Sequence, residues 1–422
     1  MKRSGRGLAI ATTVVAMTMP LAACGGGSSG NTAADGTVTI HVEAWKGGGA
    51  EPANVAEINK AFEEANPKIK VDFQYVTSGN YTQKLEPELL GGKAGDVIMV
   101  DSSKVPKWGD AGYLADLSKE SWVGKISDDA KPFTQNGGKT LAMPMELIGI
   151  GLYANTDLLK KAGIPEVPAD WPTFLDDLGK LKAAGVNPIA LPNKGGWTAD
   201  AAFQASGSTL VYQKDKQWDA DFLAGKTTIP SDWQEPLNQL KALGDQGYVN
   251  WKNELGVDEW SQGSQDFMAG KSAFWFQGAW QISSVKKAGF PISFAPWPAG
   301  AAGTKPNAMF FTGTMWGVNS QSKNSDAARK YVEFWSQAQN LSKFLQAENG
   351  ASPFTDGTTT PSPETTAFSA AFADGRYRLM PSNTWLSGPA EAASGTALQA
   401  FLLGQKSADQ ALKDIQAAAT AK

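Results

Sequence analysis

Imidazole and thiol chemistry have almost nothing to work with in this sequence, which holds one histidine, His41, and one cysteine, Cys24. A zinc site with two or three imidazoles is therefore excluded, and a serine or cysteine triad would depend on the single ring of His41, inside a strand-like stretch. Carboxylates are plentiful, Asp and Glu together numbering 42, so counting does not exclude a glycosidase pair, but no spacing singles one out. GIGLYA, residues 149–154, meets a relaxed dinucleotide fingerprint, yet it lies in an apolar run with no suitable acidic residue downstream. ADFLAGKT, residues 220–227, fits a loosened phosphate loop, but the polar residues before it cannot be the buried strand such a loop needs. The sequons Asn80-Tyr81-Thr82 and Asn340-Leu341-Ser342 are short patterns that arise by accident. Tryptophan is the outlier, at 15 residues. Trp45, Trp197, Trp251, Trp280, Trp297 and Trp385 sit near Gly, Pro or Asn, where strands and helices end. Most tryptophans are core, but a set at loop positions suits a flat-faced ligand.

The single thiol has a separate reading. Lys2, Arg3 and Arg6 precede an apolar stretch of signal-peptide length that is too short to span a membrane. Leu21-Ala22-Ala23-Cys24 then resembles the lipobox of bacterial lipoproteins, which implies removal of residues 1–23 and a diacylglyceryl anchor on Cys24. Residues 24–36, rich in Gly and Ser, are expected to be a flexible tether. With the thiol acylated no disulfide is available, so the exported chain depends on its cores alone. The net charge is −4 and 42% of residues are hydrophobic. Without a long run of either sign, this argues against a nucleic-acid or anionic-lipid surface.

The elements that would position the tryptophans follow from periodicity. VTIHVEAW alternates as a strand does, and PANVAEINKAFEEANP places Val55, Ile58, Phe62 and Ala65 on one helical face. IKVDFQYV, TQKLEPELLGGK and DVIMV continue the alternation of strand, helix and strand, which predicts a parallel sheet with right-handed crossovers. Ligands collect at the carboxyl ends of such strands, here Trp45 and Asp101-Ser102. Beyond these the chain is more helical. DWPTFLDDLGKLKAAG, DWQEPLNQLKALGDQG and DEWSQGSQDFMAGK are each expected to start at the acidic residue, separated by short strands NPIAL, SAFWF and PISFAPW. SDAARKYVEFWSQAQ and SADQALKDIQAAA supply further helices.

Several ordered pieces resemble the extracellular solute-binding proteins, family 1, that feed carbohydrate ABC importers, the group that includes maltose-binding protein. They are INKAFEEANPKIKVDFQYV, GDVIMVDSSKVPKWGDAGYLADLS, MPMELIGIGLYANTDLLKKAGIPEVPADWPTF, DFMAGKSAFWFQGAW and GQKSADQALKDIQ. Ala154 stands where the family usually has tyrosine, and Phe274 and Trp275 near its usual alanine and methionine. The resemblance implies an α/β, periplasmic-binding-protein-like fold of two lobes with a hinge and an interlobe ligand cleft. The expected lobes are residues 37–145 with 290–345, and residues 146–289 with 346–422.

By position, Trp280 and Trp385 resemble the family's stacking aromatics, and Asp101 and Glu146 its polar groups at the rim and hinge. Trp45, Trp197, Trp297, Thr312, Gly313 and Arg376 are further candidates for ligand contact. The implied function is capture of a sugar, with an oligosaccharide favoured, by a monomeric, membrane-tethered receptor that needs no cofactor or metal and delivers to an ABC permease. Two alternatives stay open. An exported carbohydrate-active hydrolase would also use tryptophans and carboxylates, and a receptor for glycerol phosphate or a polyamine would need convergent cations or an acidic aromatic cage.

Overall fold

The computed structural model describes residues 33, 35–49, 53–358, 361–382 and 384–421. The expected leader, Cys24 and most of the expected tether lie outside these. The strands, in chain order, are β1 (Val38–Ala44), β2 (Ile69–Tyr75), β3 (Val97–Asp101), β4 (Gln135–Asn136), β5 (Lys139–Thr140), β6 (Met143–Pro144) and β7 (Ile148–Asn155). They continue as β8 (Ile189–Ala190), β9 (Phe274–Gly278), β10 (Ile292–Ala295), β11 (Ala308–Phe311), β12 (Thr314–Val318) and β13 (Tyr377–Leu379).

The first sheet has the order β2-β1-β3-β12-β6. As periodicity predicts, β1 is parallel to both β2 and β3, with helices Val55–Ala65 and Ser78–Leu90 as the crossovers. Val55, Ile58 and Phe62 are buried on one face of the first helix, so its apolar spacing translates directly into packing. Trp45 and Asp101 accordingly lie at or just past the carboxyl ends of β1 and β3.

The second sheet has the order β13-β11-β7-β9-β8, and β10 also pairs with β7. Every residue of β7 is buried, as expected of a central strand covered on both faces. Its glycines answer to packing rather than to a nucleotide. A Cβ on Gly151 would lie 2.4 Å from the Ala295 carbonyl oxygen, and one on Gly149 would lie 2.9 Å from the Phe368 ring.

The pairing and the backbone bonds move two expected boundaries. Ile292–Ala295 and Ala308–Phe311 join β7, so residues 290–311 belong with the second sheet and not with the first lobe. Conversely, Ser127 donates its backbone N–H to Pro353, and Thr355 donates to Lys125, so the chain stays with the first lobe for several residues beyond 345. Both differences arise because local patterning cannot name a partner 137 to 230 residues away. Two crossings run side by side between the lobes, residues 145–147 and residues 312–313, and the Met145 N–H donates to Thr314 at 3.0 Å.

Two helix starts also differ from expectation. Asp170 caps helix Trp171–Ala183 as predicted, accepting from Thr173 N at 3.0 Å. Asp232 instead ends a short helix, Ile229–Asp232, and accepts from the Trp218 indole at 2.8 Å, while the long helix is Gln234–Asp245. Asp258 caps a turn, accepting from the N–H groups of Trp260 and Ser261 at 3.1 and 2.8 Å, and its helix starts only at Gln262.

Candidate functional site

Three tryptophans from separate segments of the second lobe converge where the lobes meet. Trp280 follows β9 in the short turn Ala279–Gln281. Gly278 is required there, because a Cβ on it would lie 2.1 Å from the Trp280 ring. Trp197 begins helix Trp197–Leu210, entered through Gly196 in the left-handed conformation, φ 85°. Trp260 stands in the turn that Asp258 caps and is 44% exposed. Ring centroids are 4.9 Å apart for Trp197 and Trp260, 6.0 Å for Trp197 and Trp280, and 6.3 Å for Trp260 and Trp280. None of the three is fully buried, which leaves ring surface available to a ligand.

Polar groups meet this cluster from the first lobe and the crossings. Lys46, in the bend after β1, lies 6.0 Å from the Trp280 ring centre. Its ammonium donates to Glu146 Oε1 at 2.8 Å and to Glu348 Oε2. All three are buried, at 6%, 1% and 3% exposure. Burial alone pulls the Lys46 pKa down, but the two carboxylates outweigh it and the net shift is upward. Glu146 Oε1 also accepts from Thr314 Oγ1 at 2.7 Å, while Glu146 Oε2 and Thr312 Oγ1 are buried with no hydrogen-bond partner among the described residues. Gly313 makes room for this carboxylate, since a Cβ there would come within 2.8 Å of Glu146 Oε1.

A second polar junction lies near Asp101. Its carboxylate accepts from Ser103 Oγ and Lys104 N, at 2.5 and 3.2 Å, and Ser102 Oγ meets Ser382 Oγ of the other lobe at 2.7 Å. Glu391 is pushed up to about 8 by burial and by Asp200 and Asp101, with Lys104 opposing. Asp200, one turn into the helix that Trp197 begins, is pushed up to about 7 by burial, against the Ser394 hydroxyl and Arg378.

The predicted residues therefore divide. Trp45, Asp101, Glu146, Trp197, Trp280, Thr312 and Gly313 lie at the lobe boundary or on its crossings, Trp45 packing edge-on against Tyr81 at 4.9 Å. Trp385 does not. It is 1% exposed, boxed by Trp218, Phe222 and Trp233 at 5.5 to 5.8 Å, and its indole donates to Asp219 at 2.5 Å. Trp297 is likewise buried, against Phe174 and Phe276. Arg376 holds Asp374 at 2.9 Å and the Pro306 carbonyl at 2.6 Å, away from the cluster. Trp385, expected to stack on a ligand, and Trp297, expected to contact one, are thus packed in the core, and Arg376 is a local clamp.

Lys46, Trp260 and Glu348 were not foreseen. Lys46 adjoins Trp45, and its position directly after a predicted strand end was the available signal. Trp260 stands between Glu259 and Ser261, without the neighbouring turn residue that marked the other tryptophans. A cavity of about 430 Å³ lies between the lobes, lined by Ser127, Leu147 and Phe354 as well as by Phe294, Phe310 and Phe368, and by none of the predicted residues.

The family model of bacterial extracellular solute-binding proteins matches residues 57–366. The chain belongs to that family. This binding protein is 25% identical over 342 residues to the diacetylchitobiose binding protein DasA of Streptomyces coelicolor, covering 78% of this chain and 77% of that one. It is 26% identical over 349 residues to the maltooligosaccharide ABC transporter solute-binding lipoprotein of Streptococcus pneumoniae, covering 77% and 75%. Among solved structures, a chitin oligosaccharide binding protein matches with a TM-score of 0.76 at 20% identity, over 91% of this chain and 98% of that one. The binding protein thus shares the two-lobed fold of the periplasmic-binding-protein group. Among its described residues no helix is long and apolar enough to cross a membrane.

Proposed function

We propose that the binding protein captures a sugar, with an oligosaccharide favoured, in the cleft between its lobes and delivers it unchanged to the permease of an ABC importer. The carrying observation is the convergence of Trp197, Trp260 and Trp280 beside the Lys46–Glu146–Glu348 group. Pyranose rings present apolar C–H faces that stack on indole, and their hydroxyls need the adjacent polar groups. The diacetylchitobiose and maltooligosaccharide receptors among the relatives support the same class of ligand. A phosphate ester is a poorer fit, because Lys46 already answers two carboxylates. A polyamine is poorer too, since the Lys46 cation already lies 6.0 Å from the Trp280 ring centre and answers both buried carboxylates.

Tryptophan fluorescence titrated with a panel of mono- and oligosaccharides tests the reading. Saturable quenching or enhancement by a sugar that is recovered intact is the expected result. Failure of every sugar, or release of shortened glycans in proportion to protein, overturns it in favour of another solute or of a hydrolase. The anchor is part of the same proposal: the lipobox-like Leu21-Ala22-Ala23-Cys24 supports a diacylglyceryl group on Cys24, whose two chains would hold the protein to a bilayer more firmly than one. Fractionation of cells expressing Cys24→Ala should find the folded protein released, and continued membrane association of that variant counts against the anchor.

A further inference from the structure

The three tryptophans of the cluster lie on segments that are not neighbours in sequence, and one residue ties all three segments together. Glu259 is 2% exposed and immediately precedes Trp260. Both of its carboxylate oxygens accept from the backbone N–H of Gly195, each at 3.0 Å, two residues before Trp197. Its own carbonyl oxygen accepts from Gln277 Nε2 at 3.1 Å, three residues before Trp280. The two loops run together further along as well. Lys194 N donates to the Val257 carbonyl at 3.1 Å, and Asn193 N to the Glu254 carbonyl at 2.9 Å. Gly195 has room for no side chain, since a Cβ there would lie 2.4 Å from Glu259 Oε1.

We propose that Glu259 is the positioning residue of the tryptophan cluster, fixing Trp260 and Trp197 against Trp280 and so setting how tightly the site grips a sugar. Glu259 touches no ligand in this assignment, and its effect passes through the rings. A buried carboxylate accepting a backbone N–H is a strong, directional tie, and a ring displaced on its loop loses the stacking geometry a pyranose requires. The assignment rests on the sugar-site reading only for its functional consequence. The ring geometry itself can be measured without ligand.

The test uses the isosteric variant Glu259→Gln, with Trp260→Phe as the reference. The exciton couplet between indoles in circular dichroism reports ring arrangement, and the portion lost in Trp260→Phe is the portion due to the pairs of Trp260 with Trp197 and Trp280. In Glu259→Gln that portion should change, and affinity for the sugar found by fluorescence should fall about tenfold, the equivalent of one charged hydrogen bond. The melting temperature should shift by only a few degrees. An unchanged couplet with unchanged affinity overturns the assignment. So does an affinity loss that merely tracks lost stability while the couplet stays intact. If Glu259→Gln does not fold, Gln277→Leu removes the other tie and is read in the same way. A changed couplet in a protein that binds no sugar upholds the positioning role while removing the sugar reading.

Discussion

Two tryptophan clusters stand in the second lobe, and from their residues alone they are hard to tell apart. Trp197, Trp260 and Trp280 lie at the lobe boundary, with Trp260 44% exposed. Trp218, Trp233 and Trp385 lie inside the lobe, each 2% exposed or less. Their rings meet mostly edge to face, and Asp219 binds the Trp385 indole, the Tyr212 hydroxyl at 2.5 Å and Arg378 at 3.4 Å. The difference is in what completes each cluster. The inner one is closed by its own neighbours and by a shared carboxylate. The outer one is held by its backbone ties and, among the described residues, leaves Trp260 largely uncovered, as the proposed ligand site requires.

The inner cluster should register the largest effect. Trp385→Ala is expected to cost about 3 to 5 kcal/mol of folding stability, because a fully buried indole leaves a cavity and strands Asp219. Chemical denaturation measures this, and a variant of native stability with lost sugar affinity would return Trp385 to the ligand site.

Lys46 is buried like the inner cluster yet lies against a ring of the outer one. Lys46→Met is expected to cost about 3 to 5 kcal/mol, since it leaves Glu146 and Glu348 buried together without their cation. The double variant Lys46→Met with Glu348→Gln should recover part of that loss. Equal stability of the single and double variants in denaturant would mean that the carboxylates do not repel across the crossing.

For the outer cluster the order of effects reverses. Trp280→Ala should weaken sugar binding by about 2 kcal/mol, roughly thirtyfold, with a smaller change in stability. Calorimetric affinity and melting temperature on the same sample separate the two clusters, and a Trp280→Ala protein with native affinity would dissolve the comparison.

The smallest effect is pH dependence, which comes from carboxyl groups around the helix that Trp197 begins. Asp200 and Glu254 are pushed up to about 7 and Glu391 to about 8, in each case chiefly by burial. Their folded forms hold protons that the unfolded chain releases near its ordinary carboxylate range. Stability should therefore fall as pH rises from about 5 to about 8 and level off above that. The melting temperature should drop by a few degrees over this window, and Asp200→Asn should flatten the slope. A melting temperature that rises with pH there would show that these groups are ionised in the folded protein.

Much of the architecture was legible because it is local. The alternation in VTIHVEA, the apolar run DVIMV, and the apolar stripe of Val55, Ile58 and Phe62 mark what each element buries, and Ile40 and Val42, residues 97–100 and the helical stripe are buried in the structure. Glu146, Trp280 and Asp101 were legible as residues of the lobe boundary because they end strands or join them. Helix starts at Asp232 and Asp258 were misplaced because those carboxylates serve an indole and a turn that periodicity does not register.

The sequence by itself determined the element types, the parallel start of the first sheet, the family, and the lack of histidines for a zinc site or a second imidazole. Only the tertiary structure decided which tryptophans face outward, that the strands Ile292–Ala295 and Ala308–Phe311 pair with β7, and that Lys46 answers two carboxylates 100 and 302 residues further along the chain. The physical reason is the range of the forces concerned. Backbone propensity and amphipathic period act over one or two turns, so a short window contains them. Whether an indole is covered, or a carboxylate paired, depends on groups that only chain closure brings within a few ångströms. Trp280 and Trp385 show the limit most plainly: both follow short polar or turn-forming residues, and what separates them is the presence or absence of Trp218 and Trp233 against the ring.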